Sequence, residues 1–217
     1  MIKFLKKQNK VSISLIAALS ENRVIGNHGR IPWHIRVDLI RFRNKTIDHT
    51  VIMGRKTFDS LLDYYQKSGK ALPERIHIIV TRDKDYKINR EDCFVPHQFR
   101  RGGTVRDENY ILKKPRSKDR GVFIVHSIKE AIQLGKEKEK KSHLAKTSRD
   151  REIFVSGGAQ IYEQTIGLAD KLYLTIVKGR FKGDAYFPQY DQFKIVADTG
   201  WQKEGKDQFK FVDLVRK

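Results

Sequence analysis

The sequence predicts one α/β domain with a mostly parallel sheet, and two stretches of the 217-residue chain carry this prediction. Residues 11–19 are almost continuously apolar and β-branched, which is typical of a strand buried on both faces. Residues 152–177, EIFVSGGAQIYEQTIGLADKLYLTIV, have the pattern of strand, Gly-Gly turn, helix and strand. Short connections of this kind indicate a βαβ unit with parallel strands and a right-handed crossover.

The other elements follow in chain order. Apolar runs predict further buried strands at residues 50–53, 76–81 and 122–126, and helical spacing predicts helices over residues 35–42, 54–67 and 127–141. The far end of the last helix, residues 136–141, is too charged to be core. Residues 82–120 are polar and broken by Pro and Gly, so most of this stretch is predicted to be a surface insertion. The alternating stretches FKIVADT and FKFVDLV near the end predict an antiparallel pair that completes the sheet.

The net charge of +19 is concentrated in three segments. Residues 1–10 hold four Lys and no acid, residues 97–120 have a net charge of +5, and residues 136–152 have a net charge of +3. We therefore predict a basic tail at 1–10 and a single domain at 11–217, with insertions at about 97–120 and 136–151. Basic patches attract phosphate polymers, but these runs lack interleaved aromatic residues and match no known nucleic-acid module.

Cysteine and histidine usage limits the possible chemistry. The single Cys93 excludes an intramolecular disulfide and a cysteine metal cluster, and it fits a reducing, cytoplasmic setting. The seven His residues are scattered, so no metal site is expected. No apolar run is long enough to predict a membrane span.

One acid stands out in the predicted helix at residues 35–42. A rotation of about 100° per residue places Asp38 in an apolar stripe with Ile35, Leu39 and Phe42. A carboxylate in such a place is either paired with a buried partner or has a raised pKa, which makes it a usable proton donor. Asp38 therefore indicates an enzyme.

Two short stretches suggest anion binding. The Gly157-Gly158 turn follows a strand and opens a helix, where free N–H groups favour phosphate, although plain turn chemistry explains it equally well. Arg55-Lys56 begins another predicted helix, and an ordinary solvated pair is the simpler interpretation of these two residues alone.

Nine motifs occur together in an order that resembles the dihydrofolate reductase family. They are ISLIAAL, VIG, IPWH, VDLIRFR, VIMGRKTFDSL, LPERIHIIVTR, VSGGAQIYE, DKLYLTIV and GDAYFP, and they cover residues 12–82 and 152–215. The resemblance implies a mixed, mostly parallel eight-stranded sheet flanked by four helices. It also implies NADPH-dependent reduction of 7,8-dihydrofolate to 5,6,7,8-tetrahydrofolate by a cytoplasmic monomer that antifolates inhibit.

The resemblance implies a substrate site around Asp38, which would bind the pterin edge and promote protonation of its N5. Thr175 would hydrogen-bond this carboxylate, Trp33 would complete the catalytic group, and Arg75 would pair with the α-carboxylate of the substrate. The remaining substrate-binding residues implied are Ile16, Ala18, Leu39, Phe42, Leu61, Leu72, Ser156 and Tyr162.

The resemblance also implies an NADPH site, with a lid formed by residues 26–31. The Gly157-Gly158 peptide, typically cis in this family, would approach the pyrophosphate, while Arg55, Lys56 and Arg82 would surround the 2′-phosphate. The full set implied is Ala18, Ile25, Gly26, Gly54, Arg55, Lys56, Thr57, Thr81, Arg82, Ser156, Gly157, Gly158, Ala159, Gln160, Ile161 and Tyr162.

Some residues depart from the family pattern, and two other interpretations remain. Arg36 replaces a common proline, Ala159 replaces the third glycine of a common GGG, and the loop at residues 61–72 is longer than in compact bacterial forms. The alternatives are a pyrimidine reductase of riboflavin synthesis with the same fold, and a basic nucleic-acid-binding protein on a reductase scaffold.

Overall fold

The computed structural model describes residues 10–68, 72, 75–88, 121–141 and 151–217. These residues form four helices and eleven strands. The helices are α1 (Arg36–Thr46), α2 (Arg55–Lys67), α3 (Ile128–Lys141) and α4 (Ala159–Thr165). The strands are β1 (Ser12–Ser20), β2 (Val24–Gly26), β3 (Thr50–Gly54), β4 (Ile76–Val80), β5 (Gly121–Val125), β6 (Glu152–Val155), β7 (Lys171–Val177), β8 (Ala185–Tyr186), β9 (Phe193–Asp198), β10 (Gln202–Glu204) and β11 (Asp207–Arg216).

The main sheet has the order β10-β11-β7-β1-β6-β3-β4-β5, and β9 also pairs with β11. Because β7 occupies one edge of β11, β9 and β10 share the other edge, so the sheet has eight strand positions. Strands β7, β1, β6, β3, β4 and β5 are parallel, whereas β11 is antiparallel to β7. The predicted eight-position, mostly parallel sheet is confirmed.

Two apolar layers cover the sheet. On one side, α3 and α4 contribute Ala131, Ile132 and Ile161 to a large core cluster. On the other side, Phe58 of α2 is fully buried beside strand residues such as Val51. Strands β1, β3 and β4 are apolar along most of their length because both of their faces are covered in this way.

The predicted elements correspond closely to those observed, with differences at short or polar segments. The helix predicted at 35–42 begins one residue later and extends to Thr46. The short strands β2, β8 and β10 were not predicted, because two or three residues are too few to show a period. The predicted insertion at 97–120 lies outside the described residues.

The expectation that the far end of the third predicted helix, residues 136–141, is too charged to belong to the core is wrong at Glu139. The predicted insertion at about 136–151 stays a prediction, because residues 142–150 lie outside the described residues. Helix α3 continues to Lys141, and the side chain of Glu139 is buried. One Glu139 oxygen accepts a 2.5 Å hydrogen bond from the backbone N–H of Thr50, and the other lies 3.6 Å from Nδ1 of His49. The helix thus uses a buried carboxylate to hold the start of β3, a contact between residues 89 positions apart.

The His49–Glu139 pair makes the stability of the fold depend on pH. Burial lowers the pKa of His49, but the hydrogen bonding and charge of Glu139, with a contribution from Glu152, outweigh burial and raise it overall. A raised histidine pKa contributes stability below its unfolded value of about 6.5, and this contribution is lost as pH rises through the folded pKa.

We therefore expect Glu139→Gln to lower the free energy of unfolding by about 2 kcal/mol at pH near 6, and by less at higher pH. The measurement is urea unfolding across that pH range. Glu137→Gln is the matched control, because Glu137 lies exposed on the same helix and pairs only with Lys141 one turn away among the contacts described. Equal losses in the two variants at every pH would contradict the assignment.

Candidate active site

Asp38 lies in the first turn of α1. The hydroxyl of Thr175, in β7, donates a 2.6 Å hydrogen bond to Oδ1 of Asp38. Burial raises the pKa of the Asp38 carboxyl, while the Thr175 hydrogen bond and the charge of Arg41 oppose the rise without cancelling it. The predicted meeting of Asp38 and Thr175 is observed, with the acid in the environment that a proton donor requires.

Tyr162 lies near this carboxyl, and Ser156 follows the strand β6 beside β3. The Tyr162 hydroxyl donates a 2.7 Å hydrogen bond to the backbone oxygen of Ile16, and burial together with the charge of Asp38 raises its pKa. The backbone N–H of Ser156 donates to the oxygen of Ile52 at 2.9 Å, and the Ser156 hydroxyl is buried with no partner among the described residues. Tyr162 thus joins α4 to β1, and Ser156 joins the end of β6 to β3.

Arg75, just before β4, is a buried cation. It is 3% exposed, and none of its three guanidinium nitrogens has a hydrogen-bond partner among the described residues. Its guanidinium carbon lies 4.7 Å from the centre of the Phe42 ring. Burial lowers the pKa of Arg75 to about 10, with Tyr65 opposing and Arg43 reinforcing the change. A buried guanidinium with no hydrogen-bond partner among the described residues has the chemistry to receive a carboxylate.

Apolar side chains connect Arg75 with the interior of the site. Phe42, Leu61 and Leu72 pack against the cluster that contains Ile16, as the substrate-site prediction requires. Leu39 differs, because it is 42% exposed and does not join the core. Leu39 therefore lies at the surface of α1 with Val37 and Ile40, and its place in the substrate site stays a prediction.

The Gly-Gly turn brings the starts of α2 and α4 together. The Gly157-Gly158 peptide is cis, as predicted, and Gly157 has a φ of 109°. The backbone N–H of Gly54 donates to the oxygen of Gly157 at 2.7 Å. A Cβ on Gly157 would lie 3.1 Å from the Tyr162 ring, and one on Gly158 would lie 3.4 Å from the Thr57 hydroxyl. The backbone here leaves little room for larger side chains beside a ligand.

The other predicted cofactor residues differ in exposure and in their contacts. Arg55 lies over the Tyr86 ring at 5.6 Å and 3.7 Å from a carboxylate oxygen of Asp59. Lys56 and Arg82 are exposed, while Thr81 is buried at the end of β4. Of the residues in α4, Ala159 is half-buried, Gln160 is exposed and Ile161 is buried against Gly54.

The stretch before α1 is anchored at both ends. Trp33 is buried, and its ring meets Phe181 edge-on with centroids 5.2 Å apart. Earlier in the chain, the backbone N–H of His28 donates to both carboxylate oxygens of Asp184 at 3.1 Å. Gly26 pairs with Ala185, whereas Ile31 is 61% exposed. The predicted lid is thus an exposed segment held between fixed points. Ile25 is half-buried, and Ala18 pairs with Thr175 in register.

A protein-family comparison decides how the site is to be classified. The sequence model of the family described as Dihydrofolate reductase matches residues 12–109 and 104–216. The chain belongs to the dihydrofolate reductase family. Its activity is that of a dihydrofolate reductase, an NADP-dependent oxidoreductase.

Individual dihydrofolate reductases match over nearly the whole chain. The protein of Bacillus subtilis (strain 168) is 30% identical over 205 residues, which span 94% of this chain and 92% of that protein. The protein of Buchnera aphidicola subsp. Baizongia pistaciae is 34% identical over 188 residues, spanning 86% and 84%. Among solved structures, the dihydrofolate reductase from Enterococcus faecalis complexed with NADP(H) and RAB-propyl matches with a TM-score of 0.65 and 24% identity, covering 94% of this chain and 96% of that one.

Within the described residues, no three His, Cys, Asp or Glu side chains lie close enough to hold a metal ion. No helix in the described part of the chain has the length and apolar character that crossing a membrane requires.

Sequence reasoning missed Glu204, which caps the helix that carries Asp38. Ile35, the N-cap residue of α1, makes no capping hydrogen bond with its side chain. The carboxylate of Glu204 on β10 supplies the capping hydrogen bonds instead. It accepts hydrogen bonds from the backbone N–H groups of Arg36 at 2.8 Å and Val37 at 3.1 Å. Because the residues are 168 positions apart, no local capping pattern reveals the contact.

We expect Glu204→Ala to destabilise this dihydrofolate reductase by about 1 kcal/mol, because two N–H groups at a helix start lose their acceptor. Glu204→Gln, which keeps one acceptor oxygen, should lose less. Thermal unfolding measures both effects, and Lys203→Ala on the same short strand provides the control. If the alanine and control variants unfold at the same temperature, the cap does not contribute.

Proposed function

We propose that this reductase binds 7,8-dihydrofolate across the apolar cluster, with the pterin at Asp38 and the glutamate tail at Arg75. A single observation supports this proposal most strongly: Phe42 lies one helical turn after Asp38, whose carboxyl pKa is raised by burial, and the Phe42 ring lies 4.7 Å from the guanidinium of Arg75. Arg75 is a buried cation with no hydrogen-bond partner among the described residues. Dihydrofolate has the matching polarity, with a hydrogen-bonding pterin edge at one end, an aromatic ring between, and a carboxylate at the other end.

The Asp38 carboxyl would hold the pterin and supply its proton. An ionised Asp38 accepts hydrogen bonds from the pterin N3–H and 2-amino groups, and the Thr175 hydroxyl keeps the carboxyl oriented. A raised pKa keeps the carboxyl protonated in a larger fraction of molecules near neutral pH, so that a proton is available for N5 through a water molecule. The backbone oxygen of Ile16 and the buried Ser156 hydroxyl would meet the amino edge.

The turn at Gly157-Gly158 fits a dinucleotide pyrophosphate. Glycines leave room for close backbone approach, and α2 and α4 both begin beside the turn. Arg55, Lys56 and Arg82 would bind the 2′-phosphate, with Arg55 exchanging its contact with Asp59 for the phosphate. NADPH supplies the hydride when bound. Trp33 and the residue 26–31 lid would exclude water from the site.

The test is NADPH oxidation by the purified protein with and without dihydrofolate. We expect consumption only when both compounds are present, and a preference for NADPH over NADH of at least about 10-fold, since charge-assisted phosphate contacts contribute about 1.5–3 kcal/mol. An antifolate should abolish the signal by competing for the same cleft. Absence of dihydrofolate-dependent consumption in folded protein would overturn the proposal, and consumption of a riboflavin-pathway pyrimidine instead would favour the alternative reductase.

We also propose that the reductase is a monomer in a reducing, cytoplasmic compartment. Its single cysteine supports this setting, because a disulfide within the chain is impossible. Any nucleic-acid retention by the basic segments would be an accessory property, and deletion of residues 97–120 should remove it without removing turnover.

A further inference from the structure

Arg41 is a mostly buried cation that has no part in the proposed binding of substrate or cofactor. It lies three residues after Asp38 in α1, so both side chains project toward the same side of the helix. Its side chain is only 12% exposed, although arginine in a helix usually extends into water. The helix therefore directs two opposite charges toward the face formed by β7 and β11.

The contacts of Arg41 fix its guanidinium in one place. Nη2 forms a short ion pair with Asp213 on β11, and the guanidinium carbon lies 4.6 Å from the centre of the Phe211 ring. Asp213 is half-buried and also lies 3.4 Å from the Lys45 ammonium. A planar cation held by a carboxylate at one end and an aromatic face at its side has little rotational freedom.

The other end of this guanidinium reaches Thr175. Nη1 lies 3.5 Å from the Thr175 hydroxyl oxygen and 3.4 Å from the backbone oxygen of Leu174. A threonine hydroxyl has one proton to donate and two lone pairs that accept. When its oxygen accepts from Arg41, its proton is directed to Asp38, where the structure has the 2.6 Å hydrogen bond. Asp213, Arg41, Thr175 and Asp38 thus form a chain of contacts, in which the neutral Thr175 hydroxyl lies between the Arg41 cation and the Asp38 carboxyl.

We propose that Arg41 is a positioning residue for Asp38, acting through the Thr175 hydroxyl and through its own charge, with Asp213 as its anchor. The proposal rests on the proposed role of Asp38 as the group that protonates the pterin. Arg41 does not touch the substrate in this account. It limits how far burial raises the pKa of Asp38, and so sets the pH range in which the carboxyl exchanges its proton.

Other charged and titratable groups face this network. Tyr162 from α4 lies close enough to Asp38 for the carboxylate to raise the tyrosine pKa. On β7, Tyr173 lies beneath Lys45, whose ammonium is 4.0 Å from the ring centre, and the Tyr173 hydroxyl is 3.3 Å from Glu152 on β6. Among the described groups, Arg41 is the cation whose charge acts on Asp38 directly.

The test uses Arg41→Met, which keeps much of the side-chain volume and removes the charge. We expect the alkaline limb of the rate profile for hydride transfer to move upward by about one pH unit, because Arg41 lowers the pKa of Asp38 and a nearby opposite charge lowers a carboxyl pKa by about that amount or more. KM for dihydrofolate should change little. Arg41→Lys should restore most of the wild-type profile, and Lys45→Met, which loses the other cation at Asp213, should leave the profile unchanged.

A second readout separates this proposal from the role of Asp38. Carbon-13 NMR of the Asp38 carboxyl in the protein without substrate should show the same upward shift in Arg41→Met. If neither the rate profile nor the carboxyl titration moves, the proposal is overturned. If Asp38→Asn has a wild-type profile, the catalytic role of Asp38 fails, and the NMR titration alone then decides whether Arg41 acts on the carboxyl. Should Arg41→Met not fold, Arg41→Gln is measured in the same way.

Discussion

Asp38→Asn should lower the rate of dihydrofolate reduction by at least about 100-fold near neutral pH, the usual contribution of a positioned acid or base. Asparagine keeps the size of the side chain and can still accept a hydrogen bond from Thr175, so the fold should persist. The loss should be smallest in acid, where solvent protonates dihydrofolate directly, and largest near and above neutrality. Single-turnover rates across this pH range provide the measurement.

Thr175→Val is the matched control for this prediction. It removes the hydroxyl that orients Asp38 and leaves the carboxyl in place, so the rate should fall by less than in Asp38→Asn. The pKa of Asp38 should also rise, because the hydrogen bond from Thr175 favours the ionised form. An Asp38→Asn variant with unchanged turnover would remove Asp38 from the mechanism.

Arg75→Leu should raise KM for dihydrofolate by about 100-fold with little change in kcat, because truncating one partner of a buried charge pair costs about 2–5 kcal/mol of binding. Without substrate, the same variant should be more stable than the wild type. The wild-type guanidinium is buried with no hydrogen-bond partner among the described residues, and an apolar side chain removes that desolvation penalty.

Opposite effects on substrate affinity and stability distinguish a binding residue from a structural one. Thermal unfolding of the protein without substrate measures the second effect. Arg43→Leu provides the control, because Arg43 is an exposed arginine near Arg75 and should change neither property strongly. Loss of stability in Arg75→Leu would mean that the guanidinium supports the fold rather than the substrate.

Most of the sheet and helices could be predicted because local patterns determine them. Continuous apolar runs at β1 and β3 indicate strands covered on both faces, and the Gly-Gly turn with its flanking strand and helix indicates a βαβ unit. Asp38 could be predicted as unusual because its position conflicts with its polarity. These features depend on neighbours in the sequence, which a single chain displays.

The contacts that the sequence did not predict are made by buried charged side chains, and their partners lie far away in the sequence. Glu139 was assigned to a charged surface end of its helix, yet it caps β3, because composition does not reveal which member of a charged run faces inward. Arg41 lies on the same helical face as Asp38, and this spacing was an available signal. Its partner Asp213 lies 172 positions away, so their pairing appears only in the folded chain.

We propose that Asp38 and Arg75 hold opposite ends of the same dihydrofolate molecule. The most direct measurement compares the dissociation constants of dihydrofolate and of a dihydropterin without the benzoyl-glutamate tail, in wild type, Asp38→Asn and Arg75→Leu. We predict that Arg75→Leu weakens dihydrofolate binding and leaves dihydropterin binding unchanged, whereas Asp38→Asn weakens both. Equal weakening of the two ligands in Arg75→Leu would contradict the account.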